Sequence, residues 1–289
     1  MSTLRSILEA HQRLTKCSWN LIEQDYALSL ILYGISNVEE LKQHLIFKGG
    51  TCLRKYYFGD YRFSQDADFS VQGDYPKGDK LQSLLDDMCL HICDYLLQKN
   101  VNVQFDCIRY SEKNPHPTNQ EAFTIGVQYP WQRQPLTRVM IEVTSVEKVV
   151  LTPVEKSIIH EYEPDFNADL FVYTLEEIVA EKIRALIQFH KKLHERGWGR
   201  SRARDYYDLW RIFKSYKSLI DFSLVDRVVQ EKCANKELNF EGYHQIFSDK
   251  LMLDLEDSWI RWVRPLVSGD LPMVASVVQD LREYLSVIE

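Results

Sequence analysis

Two aspartates, Asp66 and Asp68, stand one residue apart in Asp66-Ala67-Asp68-Phe69-Ser70-Val71, a segment that alternates polar and apolar residues as a half-buried strand does. Residues i and i+2 of a strand project from one face. Two carboxylates so placed repel each other unless a cation lies between them, and Mg2+ prefers such oxygen ligands. Upstream, Leu45-Ile46-Phe47 is a short apolar run ending at Lys48-Gly49-Gly50-Thr51, the pattern of a strand stopping at a glycine turn. Adjacent glycines let backbone N–H groups approach phosphate oxygens, and a helix starting just after them adds its positive end. Thr51 adds a hydroxyl. Alone, a glycine pair is usually a turn and an Asp-x-Asp a solvated strand face. Together they supply two of the three needs of phosphoryl or nucleotidyl transfer: donors for a triphosphate and carboxylates for Mg2+. The third is an oriented hydroxyl nucleophile.

Other residues fit the same chemistry. Glu142, in Val139-Met140-Ile141-Glu142-Val143, is a carboxylate on another strand that could complete a two-metal cage. Its plain alternative is a polar residue on the exposed face of an edge strand. Lys182 follows Ile178 and precedes Ala185 and Phe189 on one helical stripe, so it either snorkels outward or points into a cleft. The segment Lys191–Arg204 holds six Lys/Arg and one acid in a chain of net charge −7. It reads equally as a solvated helix C-terminus, where cations are favoured, or as a phosphate-binding patch using Lys191, Lys192, Arg200 and Arg202. Asp205 and Asp208 are three apart, so one helix face could carry both. The helix start is the plain explanation of Asp205.

The elements that must position these residues follow from periodicity and caps. Ser2 to about Gln43 reads helical, with Leu21, Leu28, Leu32 and Ile35 on one stripe. Ser36 and Glu39 suggest a capping box for a helix from Asn37. A short helix is expected over Leu53–Tyr57, a loop over Gly73–Asp79 and an amphipathic helix over Lys80–Asn100. Strands are expected at Val101–Tyr110, Ala122–Tyr129 and Thr137–Thr144, with a loop over Asn114–Gln120 between the first two. Leu151–Asp169 reads as irregular. Thr174 and Glu177 form a capping box for a helix to about Leu193, a second helix spans Arg202–Tyr216, and three or so helices follow. The fold class is α+β: a small mixed sheet in a domain over 1–150, then a mainly helical domain over 151–289 that completes the active-site cleft.

Bulk properties set limits. With 289 residues, 45% hydrophobic and 27% charged, the chain can bury a large core. Its acidity gives no general attraction to nucleic acid, so any RNA contact must be local. Six cysteines form no Cys-x-x-Cys pair, and Cys89/His91/Cys93 falls inside a helix where residues two apart diverge, so ordinary thiols in a reducing cytoplasm are expected. No apolar run is long enough to span a membrane.

Four stretches, in order, resemble the nucleotidyltransferase toxins of the AbiEii/AbiGii family in the DNA polymerase β-like superfamily. They are Phe47-Lys48-Gly49-Gly50-Thr51, Arg62-Phe63-Ser64-Gln65-Asp66-Ala67-Asp68, the Glu177-x-x-x-x-Lys182 helix, and Arg204-Asp205-Tyr206-Tyr207-Asp208-Leu209-Trp210. The resemblance implies a polymerase β-like fold. Asp66 and Asp68 would bind Mg2+ or Mn2+; Glu142, the third acid offered by its strand, lies in none of the four stretches. Lys48, Gly49, Gly50, Thr51, Arg62 and Ser64 would hold a nucleoside triphosphate. Lys182 would neutralise its charge, and Asp205 would orient Lys182 or the nucleotide. It also implies a toxin that adds nucleotides to an RNA, as at the 3′ end of tRNA, and a separate antitoxin protein. The competing readings are nucleotidylation of a protein or small-molecule hydroxyl, and a non-catalytic nucleotide-binding module.

Overall fold

The computed structural model describes residues 3–110, 120–163 and 165–286. The chain divides into two compact units: Met1–Val149 with Pro153–Tyr173, and Val150–Thr152 with Thr174–Glu289.

The first unit is built on a seven-stranded mixed sheet of order β3-β4-β5-β2-β1-β7-β6. Its strands are β1 (Leu45–Lys48), β2 (Asp66–Val71), β3 (Gln104–Arg109), β4 (Gln120–Gln128), β5 (Thr137–Thr144), β6 (Val154–Ser157) and β7 (Asp169–Val172). β2 runs antiparallel to β1 and parallel to β5, while β7 runs parallel to β1. Ala67, Phe69, Val139, Ile141 and Val143 alternate along β2 and β5 and are fully buried, so the core lies against one face and Asp66, Asp68 and Glu142 fall on the other.

Helices α1 (Leu4–Thr15), α2 (Trp19–Ser36), α3 (Glu39–His44) and α5 (Asp79–Gln98) join this unit. α2 is apolar nearly all round and is correspondingly buried, packing against β5, β7 and α5. The expected cap at Ser36 is corrected. Ser36 ends α2 with its hydroxyl donating back to the Tyr33 carbonyl, and α3 starts at Glu39. The Asn114–Gln120 loop lies outside the described residues except for Gln120, which opens β4. Leu151–Asp169 is also corrected. It contains β6, and β7 begins at Asp169; β7 pairs with β6 on one side and β1 on the other, which places Pro153–Tyr173 in the first unit.

The second unit is helical: α6 (Leu175–Arg196), α7 (Ala203–Tyr216), α8 (Phe222–Asn235), α9 (Asp249–Trp262) and α10 (Val274–Leu285). α6 packs on α7, α8 and α9, and α7 on α9 and α10. Thr174 caps α6 by accepting from the Glu177 N–H at 3.2 Å. The reciprocal half of the capping box is absent: the buried Glu177 carboxylate accepts instead from the Leu151 N–H at 2.8 Å and pairs with Lys232 at 2.7 Å. No helix among the described residues is long and apolar enough to cross a membrane, and none of the six cysteines is in a disulfide.

Candidate active site

The glycine pair lies in the first turn of a helix, not in a separate turn. α4 (Gly49–Cys52) begins at Gly49 and runs on as a π-helical turn over Leu53–Phe58. Gly49 has φ +79°, and a Cβ there would come 2.6 Å from Asp68 Oδ2. A Cβ on Gly50 would come 2.6 Å from Arg62 Nη2 and 3.2 Å from Ser64 Oγ. Bare backbone is thus required at Gly49, where the positive φ and Asp68 both exclude a side chain, while at Gly50 a side chain would crowd Arg62 and Ser64. The first N–H groups of such a helix have no intrahelical acceptor.

Thr51, the third residue of the turn, joins two elements. It is buried, and its hydroxyl donates to the Asp66 carbonyl at 2.5 Å, tying α4 to β2. That bond fixes the backbone of Asp66 relative to the glycine helix.

A buried ionic cluster holds the approach to β2. Asp25 of α2 is fully buried and accepts from Arg54 Nε, Lys55 Nζ and the Tyr162 hydroxyl at 2.8, 2.8 and 2.7 Å. The two cations hold the Asp25 carboxyl well below the usual carboxylate range despite burial. Arg54 also donates to the carbonyls of Gly59 and Tyr61, at 3.1 and 2.6 Å, and lies 3.9 Å over the Phe63 ring. The segment leading to Arg62 and Ser64 is therefore pinned from beneath. Sequence reading missed this cluster, since Asp25 and Arg54 lie far apart in the chain.

Across the sheet, Lys48, Asp68 and Glu142 are Cα partners on adjacent strands, and Asp66 partners Met140. Partners on neighbouring strands share a face, so one row runs cation, carboxylate, carboxylate. β5 is interior to the sheet, so Glu142 is not on an edge. Its Oε2 accepts from Gln120 Nε2 at 3.0 Å. Lys48 is buried, bonds the Glu147 carboxylate and lies 5.7 Å from the Tyr173 ring centroid. Among the described residues no three His, Cys, Asp or Glu side chains are drawn together as a finished metal cage. Mg2+ is normally held by one or two carboxylates plus substrate phosphates. The oxygen donors of Asp66 and Asp68 fit that mode, and the register places Glu142 beside them.

In the helical unit Lys182 neither snorkels nor points freely. Its Nζ donates to Asp208 Oδ2 at 2.5 Å and to Asp205 Oδ1 at 3.1 Å, and Asp208 is fully buried. Asp205 Oδ2 lies 3.5 Å from Arg202 Nη1. The i, i+3 spacing of the two aspartates hinted at Asp208. Of the basic segment, Lys192 and Arg200 are exposed, and Lys191 is exposed and reaches Glu195 and the Glu237 carbonyl.

The family described as "Nucleotidyl transferase AbiEii toxin, Type IV TA system" matches residues 30–287. Among solved structures, MenT4, a nucleotidyltransferase toxin from Mycobacterium tuberculosis H37Rv, is similar with a TM-score of 0.64 and 18% identity, covering 99% of this chain and 90% of that chain. At that identity the likeness carries the fold. No curated protein matches the chain.

Proposed function

We propose, from the premise that this chain belongs to the AbiEii nucleotidyltransferase toxin family, that it transfers a nucleoside monophosphate from a triphosphate to the 3′ end of an RNA, with tRNA the foremost candidate. As a member it is a nucleotidyltransferase toxin of a type IV toxin–antitoxin system, which implies an antitoxin partner. The observation that carries the reading is Asp68 seated against the bare backbone of Gly49, with Glu142 in register beside it.

In this reading the backbone N–H groups of Gly49 and Gly50 take triphosphate oxygens, and Arg62 and Ser64, which close over Gly50, add charge and a hydroxyl. Asp66 and Asp68 hold a divalent cation, Mg2+ or Mn2+, with Glu142 available as a third oxygen donor. When bound, that cation supplies charge neutralisation at the attacking and leaving oxygens. Lys48 tempers the charge of the carboxylate row. Lys182, oriented by Asp205, neutralises triphosphate charge. The acceptor hydroxyl attacks the α-phosphorus, its proton passes to water, and the bond to the leaving pyrophosphate breaks. Positioning and charge supply most of the rate. The exposed cations Lys191, Lys192 and Arg200, with Arg202, hold RNA phosphates. Substrates of this kind place the work in the cytoplasm.

The test is incubation with each labelled triphosphate and total RNA plus a protein fraction, with sequencing of extended 3′ ends. Label in RNA ends that disappears with Asp66→Asn supports the reading. Label confined to protein or to small molecules overturns the RNA acceptor.

A further inference from the structure

A cleft of about 960 Å3 opens at the start of β5, and none of the roles above uses it. Trp19, Glu23 and Gln24 of α2 line it with Trp131, Arg133 and Arg138. Side-chain hydrogen bonds tie it to the backbone just ahead of the aspartate pair. Gln24 Nε2 donates to the carbonyl of Gln65, the residue before Asp66, at 3.3 Å and to that of Arg138 at 2.9 Å. Arg138, Met140 and Glu142 alternate along β5, so Arg138 projects from the face that carries Glu142, and Met140 is the Cα partner of Asp66.

The aromatic wall is built. The Trp131 indole N–H donates to Glu23 Oε1 at 2.6 Å, and its ring stacks on Tyr129 at 4.9 Å with planes 3° apart. Trp19 lies 5.9 Å from it. Glu23, only 3% exposed, also accepts from Gln132 at 3.1 Å. The guanidiniums of Arg133 and Arg138 are exposed, and neither has a carboxylate partner among the described residues.

Transfer chemistry says which substrate arrives here. Attack at the α-phosphorus is in line, so the hydroxyl and the leaving pyrophosphate lie on opposite sides. β2, with its aspartates, stands between β1, which leads into the glycine helix, and β5. With the triphosphate on the glycines, pyrophosphate departs on the β1 side and the acceptor enters from the β5 side, where the cleft lies. Indole rings beside unpaired guanidiniums match unstacked bases and their phosphates. We propose that this cleft takes the single-stranded 3′ end of the RNA acceptor, with Trp19 and Trp131 as the wall for its bases and Arg133 and Arg138 on its phosphates.

The inference rests on the RNA-acceptor reading, and the experiment separates the two. Short single-stranded RNA oligonucleotides are titrated into the full chain without triphosphate, reading tryptophan fluorescence, for wild type, Trp19→Ala and Arg133→Glu/Arg138→Glu. The arginines are exposed, so the second variant tests the idea even if Trp19→Ala misfolds. Expected are salt-sensitive quenching by the wild type and a loss of oligonucleotide affinity of ~10-fold or more in each variant. The KM for RNA should rise in parallel, with the KM for triphosphate unmoved. RNA transfer that persists with unchanged oligonucleotide affinity and unchanged RNA KM in both variants overturns the cleft but keeps the RNA acceptor. Wild-type transfer to protein alone, with no quenching by RNA, overturns both.

Discussion

Lys182 Nζ lies 2.5 Å from the Oδ2 of Asp208, an aspartate with no exposed surface. A buried carboxylate that loses a cationic partner is strongly destabilising, by up to about 3–5 kcal/mol. Lys182→Ala should therefore lower stability as well as transfer, whereas the sequence alone, leaving Lys182 either to snorkel or to point into a cleft, implied little loss of stability. Asp205→Asn is the cleaner probe, because Asp205 keeps 15% side-chain exposure. Urea melts should show little change for Asp205→Asn and a clear loss for Lys182→Ala. Equal stability of the two variants would demote the Lys182–Asp208 pair.

Asp66→Asn and Asp68→Asn should abolish chemistry without unfolding the protein. The two carboxylates share a half-buried strand face, so removing one charge relieves repulsion. Melting should hold or rise while transfer falls by at least ~10²-fold, the scale of losing a principal electrostatic contact. A double Asn variant with normal transfer would remove the metal from the proposal.

Gly49→Ala should be worse than Gly50→Ala. At Gly49 the new methyl meets the Asp68 carboxylate and the backbone is left-handed, a conformation costing about 1–3 kcal/mol for other residues. At Gly50 it meets the far end of Arg62, which can swing. Steady-state kinetics should show Gly49→Ala losing at least ~10²-fold and Gly50→Ala mainly a raised KM for triphosphate. The reverse order would separate the glycine backbone from Asp68.

Charge reversal at Lys191, Lys192 and Arg200 should flatten the salt dependence of RNA modification, because fewer counterions are released. Arg202 is left intact because it lies beside Asp205. Triphosphate binding should not move. RNA modification with unchanged salt slope would return this stretch to a solvated helix end.

His160 predicts an acid-side weakness. Both of its ring nitrogens are buried without a hydrogen-bond partner, and the ring stacks on Phe166 at 3.9 Å. Burial pushes its pKa down to about 3 from an ordinary value near 6.5. Below about 6.5 the unfolded chain takes a proton that the folded chain refuses until near 3. The stability it contributes is thus complete above that window and is lost as pH falls through it, by about 1.4 kcal/mol per unit at most. His160→Phe should flatten melting temperature against pH between 6.5 and 4 relative to wild type. Parallel curves would show that other groups control acid sensitivity.

How much of this was written locally depends on how far each feature's causes lie along the chain. The face shared by Asp66 and Asp68 follows from a two-residue period. The Thr174 cap follows from a hydroxyl three residues before the N–H it accepts. The α5 helix follows from its own apolar stripe. All of these are short-range consequences of backbone geometry, and the sequence by itself determined them. It did not determine β7, a four-residue strand made by pairing with β1 more than a hundred residues earlier. It did not determine that Thr51 bonds the Asp66 carbonyl, that Lys48 meets Glu147, or that Lys182 prefers the buried Asp208 to open solvent. Nor did it reveal why Gly49 must lack a side chain: the reason is a carboxylate nineteen positions on, delivered by the antiparallel register of β1 and β2. Residue type and spacing name which groups can do chemistry. Only the tertiary pairing decides which of them are presented to a substrate and which are spent holding others in place, because a buried polar group must find its partner wherever the fold brings one.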